Sequence, residues 1–294
     1  MSPAGPVSDV EAVSHATEPA ALFPGQGSHT PEMRALVAQV APQLLERVSA
    51  LVGEDPFPRA GESTRFAQPA IFCASLAGWD ALDLHPSAAA GHSLGELAAL
   101  AAAGVLARED ALALVVLRGR LMSEADNGSM LALVGASIED ARAIADAAGV
   151  TVANDNAPGQ VVLSGAVDAL AEAERVAGER GTRVIALDVA GAFHSPLMAE
   201  AVAPFRAALD AVAVGEPAFP VFSGASAAPF ADVRDELAQA LIRPVRWRET
   251  VIALHEHGAP SFVEVGPGRV LARMGKRILK GVPFETPAEG LVNA

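Results

Sequence analysis

The sequence predicts an α/β fold carrying a small inserted subdomain, and three observations lead there. From Ala20 onward, short apolar runs such as Ala20-Ala21-Leu22-Phe23 alternate with longer helical patterns, the signature of strands buried between layers of helices. In the middle of the chain the rhythm changes to β-α-β-β-α-β within about 60 residues, the ferredoxin-like arrangement. Between the two, Gly91-His92-Ser93-Leu94-Gly95 reads as a strand, a sharp turn and a helix.

Taken in order, Met1 to Pro19 holds no Lys or Arg and no apolar core, so it reads as a disordered tail rather than a leader peptide. Ala20 to Phe23 is a buried strand, and Ala88 to Ala90 another. Leu36 to Leu51 and Leu97 to Leu121 repeat apolar residues at spacings of three and four, as helices facing a sheet do. Gly and Pro punctuate the joins. In the middle unit Met130 to Val134 is a strand, Ile138 to Ala148 a helix, and Thr151 to Ala153 and Gln160 to Ser164 are strands. Val167 to Gly178 is a helix and Arg183 to Val189 the last strand. The expected subdomain is therefore Asn127 to Ala190, inserted between 20–126 and 191–294 of a larger α/β domain.

Composition narrows the function. At roughly 150 residues per domain, 294 residues allow one large domain or two modest ones. A hydrophobic content of 51%, a charged content of 19% and a mean hydropathy of +0.31 exclude a disordered chain. Twenty-one basic against 35 acidic residues give a charge of -14, which repels a duplex or an anionic membrane surface. With Cys73 as its one cysteine the chain can close no internal disulfide and build no cysteine-based zinc site. The longest apolar stretch, Leu97 to Ala107, falls short of the roughly 18 residues of a membrane span. A soluble protein of the reducing cytoplasm is expected, and no motif calls for a metal or a tightly held cofactor.

The Gly91 to Gly95 turn is where a nucleophile elbow belongs: glycines permit the tight turn, Ser93 is thrust outward, and the following helix offers free N–H groups and its positive end. The alternative is a structural turn. A serine needs a base. Of seven histidines, His194 is the best placed, because Gly191-Ala192-Phe193-His194-Ser195-Pro196 follows the last small-subdomain strand and can reach back over Ser93. No carboxylate announces itself as a third member, so a backbone carbonyl is the expected orienting group. Arg118, 25 residues beyond Ser93 in an apolar helix, is either a bidentate clamp for a substrate carboxylate or half of an internal salt bridge. Phe23-Pro24-Gly25-Gln26-Gly27-Ser28 matches neither GxxxxGK[ST] nor GxGxxG. Gln26 in this loop could offer its backbone N–H to an oxyanion, or the loop could be a plain turn. Between Arg243 and Lys280 lie eight basic and three acidic residues, a local surplus suited to an acidic partner or to solvation of the last helix.

Read together, Phe23-Pro24-Gly25-Gln26-Gly27-Ser28, Gln68-Pro69-Ala70, Gly91-His92-Ser93-Leu94-Gly95-Glu96, Arg118-Gly119-Arg120-Leu121-Met122, Gly191-Ala192-Phe193-His194-Ser195 and Glu264-Val265-Gly266-Pro267-Gly268 resemble the malonyl-CoA:acyl carrier protein transacylase family, polyketide synthase acyltransferases included. The likeness covers Ala20 to Lys280. It implies an α/β-hydrolase-like large domain with the ferredoxin-like unit inserted. It also implies ping-pong transfer of a malonyl group from malonyl-CoA to the phosphopantetheine thiol of an acidic acyl carrier protein, for fatty acid or polyketide synthesis.

The resemblance makes Ser93 the nucleophile and His194 the general base, with the N–H groups of Gln26 and Leu94 as the oxyanion hole. It makes Arg118 the malonyl clamp, places His92 and Phe193 at the substrate, and assigns the main-chain carbonyl at Arg246 to orienting the histidine. Phe193 before the histidine goes with malonyl in polyketide relatives, since an aromatic ring leaves little room for an α-methyl branch. The carrier is expected at Arg273, Lys276, Arg277 and Lys280. Two departures stand out: His29 after the glycine loop and Ser123 after Met122, where relatives often carry Gln. The competing function is an acyl hydrolase or esterase of the same fold, in which water takes the acyl group.

Overall fold

The computed structural model describes residues 18–125, 128–189 and 191–287. The chain opens with β1 (Ala20–Phe23), helices α1 (Met33–Val40), α2 (Pro42–Val52) and α3 (Thr64–Ala81), and β2 (Ala88–Gly91). Helices α4 (Gly95–Ala102) and α5 (Arg108–Glu124) follow. The middle unit is β3 (Ser129–Val134), α6 (Ile138–Ala148), β4 (Thr151–Ala157), β5 (Gln160–Gly165), α7 (Val167–Glu179) and β6 (Arg183–Ala186). The chain then returns through α8 (Ala199–Asp210), β7 (Val221–Ser223), β8 (Ala228–Pro229), α9 (Val233–Gln239) and α10 (Trp247–Glu256). It ends in β9 (Phe262–Glu264), α11 (Val270–Ile278) and β10 (Phe284–Glu285).

Six strands form one sheet in the order β10-β9-β1-β2-β7-β8, parallel except for the β7–β8 pair. Every residue of β1 and β2 is buried, which is why both read as unbroken apolar runs: helices cover the two faces. The second sheet, β4-β5-β3-β6, is wholly antiparallel and has the ferredoxin-like order that the sequence predicts. Backbone bonds join the second sheet to the segment that leads into α10: Asp155 N–H donates to the Val245 carbonyl (3.0 Å) and Val245 N–H to that of Ala153 (2.8 Å). A salt bridge from Arg248 to the largely buried Asp155, at 2.8 Å, closes the same seam.

Several local expectations shift. The Leu36 to Leu51 pattern is two helices, because Pro42 lacks an N–H and forces Ala41 out of helical geometry (φ -141°, ψ 59°). Leu97 to Leu121 is likewise broken, at Gly104 with φ 76°. The strand expected over Thr151 to Ala153 runs on to Ala157. Of the expected tail, residues 1–17 lie outside the described residues, as do the expected subdomain limits Asn127 and Ala190. The Pro19 carbonyl already accepts from Ser87 N–H (3.0 Å). Among the described residues no helix is long and apolar enough to cross a membrane.

Glycine fixes where strand, turn and helix cross. A Cβ on Gly95 would lie 2.0 Å from the Phe23 carbonyl oxygen, and one on Gly91 would lie 1.9 Å from the Gly95 carbonyl carbon. Both meet backbone, which cannot rotate away, so the elbow tolerates hydrogen alone at either position. Gly95→Ala should cost about 3 kcal/mol, the upper range of overpacking, in urea unfolding. Gly178→Ala, where a Cβ meets nothing within 4 Å near the end of α7, should stabilise by about 0.5 kcal/mol. Equal effects of the two would remove close packing as the reason for Gly95.

Candidate active site

Ser93 sits two residues past the end of β2 with φ 53°, a left-handed conformation that a serine adopts only under constraint and that aims its side chain out of the turn. Its Oγ lies 2.9 Å from His194 Nε2. His194 is itself left-handed, φ 58°, in the loop leading to a single 3-10 turn at Pro196–Met198. The loop is tied down locally: Ser195 Oγ donates to the Ala192 carbonyl (2.6 Å) and accepts from Leu197 N–H. His194 Nδ1 lies 2.8 Å from the Ala240 carbonyl oxygen, just past α9. A carbonyl can only accept, so Nδ1 carries the proton and Nε2 presents its lone pair to the Ser93 hydroxyl.

Arg118, on α5, is 4% exposed. Its Nη2 donates to Ser93 Oγ (3.0 Å) and its Nη1 to Gln68 Oε1 (2.8 Å). Among the described residues no carboxylate lies within salt-bridge distance, which removes the internal ion pair that the sequence left open. Gly119 brings the arginine there. A Cβ at that position would come within 3.1 Å of the Thr64 carbonyl oxygen, so α5 approaches the first turn of α3 more closely than a larger residue permits easily.

A cavity of about 640 Å3 opens over this group and is lined by Gln26, His92, Ser93, Leu94, Arg118, Phe193 and His194 among others. It lies at the carboxyl ends of β1 and β2, where ligands collect on open α/β sheets. His92 bonds through Nε2 to Asn156 Oδ1 (2.8 Å) and meets the Trp247 ring edge-on. Thus all of the expected site residues but one gather at the cavity. The exception is Arg246. Its carbonyl is occupied by Thr250 N–H and Oγ1, both at 2.9 Å, because Arg246 opens α10 and its carbonyl begins that helix's ladder; the group that orients His194 is Ala240. The Arg246 side chain pairs with Glu249. Sequence reasoning missed Ala240, since a carbonyl carries no residue signature. It also missed Thr64 and Asn156, and noticed Gln68 only inside a motif. Of the four expected docking cations, all exposed, Arg277 differs: it donates to Gln160 Oε1 and to the Pro158 carbonyl, bridging α11 to the second sheet.

The family description "Acyl transferase domain" matches residues 23–289. The chain belongs to the acyl transferase domain family. It is 36% identical to the polyketide biosynthesis protein ThaF of Burkholderia thailandensis across 95% of its length, and spans 25% of that protein. It is 35% identical to the malonyl CoA-acyl carrier protein transacylase of Bacillus subtilis, covering 90% of this chain and 93% of the relative. Among solved structures it is similar to a malonyl-transacylase in complex with its type II PKS acyl-carrier protein: 33% identity, TM-score 0.85, covering 94% of this chain and 99% of that one.

In this acyltransferase the electrostatics suit a neutral base beside a retained cation. Burial, and then the Arg118 charge, push His194 down to about 3, so its ring is neutral at pH 7. Burial lowers Arg118 to about 10, with Glu96 opposing, which still leaves it cationic. Burial lifts Glu96 to about 7, while the Gly224 N–H that its carboxylate accepts (2.8 Å) and the Arg118 charge pull it down.

These shifts act on stability with opposite signs. An unfolded chain protonates His194 near 6.5 and the folded one only near 3, so its stabilising contribution is full above pH 6.5 and is lost as pH falls toward 3. Glu96 gains its proton more readily when folded, so its contribution is lost as pH rises through 7. Between pH 7 and pH 5 the His194 term amounts to about 2 kcal/mol. Glu96 gains a similar amount over the same window, so the two terms offset one another in the unaltered protein. His194→Gln should therefore raise urea stability at pH 5 relative to pH 7 by about 2 kcal/mol more than in the unaltered protein, and an unchanged difference would contradict it.

Proposed function

We propose that the chain transfers a malonyl group from malonyl-CoA to the phosphopantetheine thiol of an acyl carrier protein through a malonyl ester of Ser93. The observation that carries this reading is Arg118: a buried guanidinium with no carboxylate partner among the described residues, 3.0 Å from the serine oxygen. A cation so close to the nucleophile fits an acyl group whose free carboxylate stands one carbon from the thioester carbonyl. The names of the similar proteins agree.

In the first half-reaction Ser93 Oγ attacks the thioester carbonyl as His194 Nε2 takes its proton. The tetrahedral oxyanion is met by the N–H groups of Gln26 and Leu94. Its collapse expels the CoA sulfur, which receives the proton from His194. In the second, the carrier thiol yields its proton to the same nitrogen and attacks the ester, and Ser93 leaves with that proton. Phe193, 6% exposed at the cavity wall, crowds an α-methyl branch, a discrimination of roughly 1 to 3 kcal/mol. The acidic carrier docks at the exposed side of α11 and just beyond it, where Arg273 and Lys276, and then Lys280, stand near Leu271 and Met274 at the cavity. The cytoplasm is the proposed compartment.

Intact mass after brief incubation with malonyl-CoA tests the core of this. A malonyl adduct should form, vanish in Ser93→Ala, and be discharged by phosphopantetheinylated carrier; discharge by water at the same rate without carrier would make the protein a hydrolase. Arg118→Ala should reduce kcat/KM for malonyl-CoA roughly 10- to 100-fold more than for acetyl-CoA, the value of a charged hydrogen bond. Equal losses would remove the clamp. Replacing Arg273 and Lys276 by Glu should raise the carrier KM and flatten its salt dependence while leaving adduct formation from malonyl-CoA intact. An unaltered salt dependence would move the docking site elsewhere.

A further inference from the structure

We propose that Thr64 is a positioning residue which, through Gln68, locks the Arg118 clamp and the Gln26 loop into one unit. The proposal rests on the reading of those two residues given above. Gln68 stands in a motif to which no role has been given, and it is 1% exposed. Its orientation is dictated by its neighbour. A guanidinium can only donate, so the amide oxygen of Gln68 must face Arg118 Nη1, at 2.8 Å. The amide nitrogen then faces Thr64 Oγ1 (2.8 Å) and Met122 Sδ (3.2 Å). With that bond accepted, the Thr64 hydroxyl hydrogen goes to Gln26 Oε1, at 2.6 Å. Every bond in the chain runs in one sense, from cation to loop.

The loop at the far end needs the support. Gln26 is exposed and lies between Gly25 and Gly27, the latter at φ 93°. Ser28 closes the turn on itself through the Gly25 carbonyl (2.8 Å), but that bond does not fix the turn relative to Arg118. Thr64 can do so because its own position is rigid. It is the first residue of α3, capped by Ser63, and α5 packs against its carbonyl at Gly119. An oxyanion donor displaced by about 1 Å loses much of its effect, so the hydroxyl of Thr64 governs the rate of acylation rather than the binding of malonyl-CoA.

The test is the single-turnover rate of adduct formation with malonyl-CoA and with acetyl-CoA. Thr64→Val should lower the maximal rate about 10-fold with both substrates, with little change in the concentration for half-maximal rate. Thr64→Ser should stay within about 2-fold of the unaltered protein. Gln26→Ala, which removes the receiving oxygen at an exposed position and leaves the backbone N–H, should reproduce the loss even if Thr64→Val folds poorly. Combining it with Thr64→Val should add nothing. A normal maximal rate in Gln26→Ala, an equal loss in Thr64→Ser and Thr64→Val, or additive losses in the double variant would overturn the proposal. If the unaltered protein forms no Ser93-dependent malonyl adduct, it is the acyl-transfer reading that fails.

Discussion

A cation held in the interior without an anion is the condition around which this molecule is built. Burying a guanidinium costs several kcal/mol unless its hydrogens and its charge are met. Here one hydrogen on each Nη is met by a neutral oxygen, that of Gln68 or of Ser93. The charge is met only at a distance: Glu96, itself lifted to about 7 by burial, answers Arg118 without touching it. Such a site is satisfied enough to fold and short of one close negative charge. Burial depresses His194 and the same cation adds to that, so the charge that calls for an anionic ligand also helps to keep the base neutral.

That arrangement requires backbones to approach closely. Gly119 brings α5 onto the start of α3, Gly91 and Gly95 bring α4 under the turn, and Gly25 packs against the His92 carbonyl, where a Cβ would lie 2.4 Å away. Ser93 and His194, which face each other, both take left-handed backbone at a conformational cost. The two residues come from different sheets. Ser93 follows a strand of the parallel sheet, whereas the loop with His194 is delivered by the end of the antiparallel one. The seam of Asp155, Val245 and Arg248 ties β4 to the start of α10 beside the cavity that Asn154 and Asn156 line, so the 2.9 Å contact depends on how the two units pack there.

The features legible in the sequence were those whose physics is local. A glycine on each side of Ser93 announces a turn because the clash it avoids lies within a few residues. The β-α-β-β-α-β rhythm is equally local, and α6 falls where its periodicity puts it, Ile138–Ala148. The strand from Thr151 runs past its apolar start because Asn154-Asp155-Asn156, polar residues of low strand propensity, continue it to Ala157. All three are buried in β4, with Asp155 paired to Arg248 and Asn156 to His92, which only the tertiary structure reveals. The resemblance puts the orienting carbonyl at Arg246, whereas the structure puts it at Ala240: any residue has a carbonyl, and which one lies under His194 depends on where α9 ends.

Under the function proposed here, the arrangement bears on why the acyl group goes to a thiol rather than to water. A malonyl ester on Ser93 would place its carboxylate on Arg118 and supply the close negative charge that the surrounding side chains do not, so the acyl-enzyme is the state in which the buried cation is best neutralised. Bidentate pairing would also fix the plane of the acyl chain and hold the ester carbonyl toward the N–H groups of Gln26 and Leu94. His194 is neutral at pH 7 and therefore ready to accept a proton from whichever nucleophile arrives. Selection between thiol and water then rests on access and position. A phosphopantetheine thiol held in the cavity by its docked carrier enjoys an effective concentration that bulk water cannot match at the same geometry. The cost of this design is dependence on the carboxylate: with an acetyl group Arg118 stays unneutralised and keeps its hydrogen bond to Ser93 Oγ, so the same cation that favours malonyl withholds the nucleophile from uncharged acyl groups.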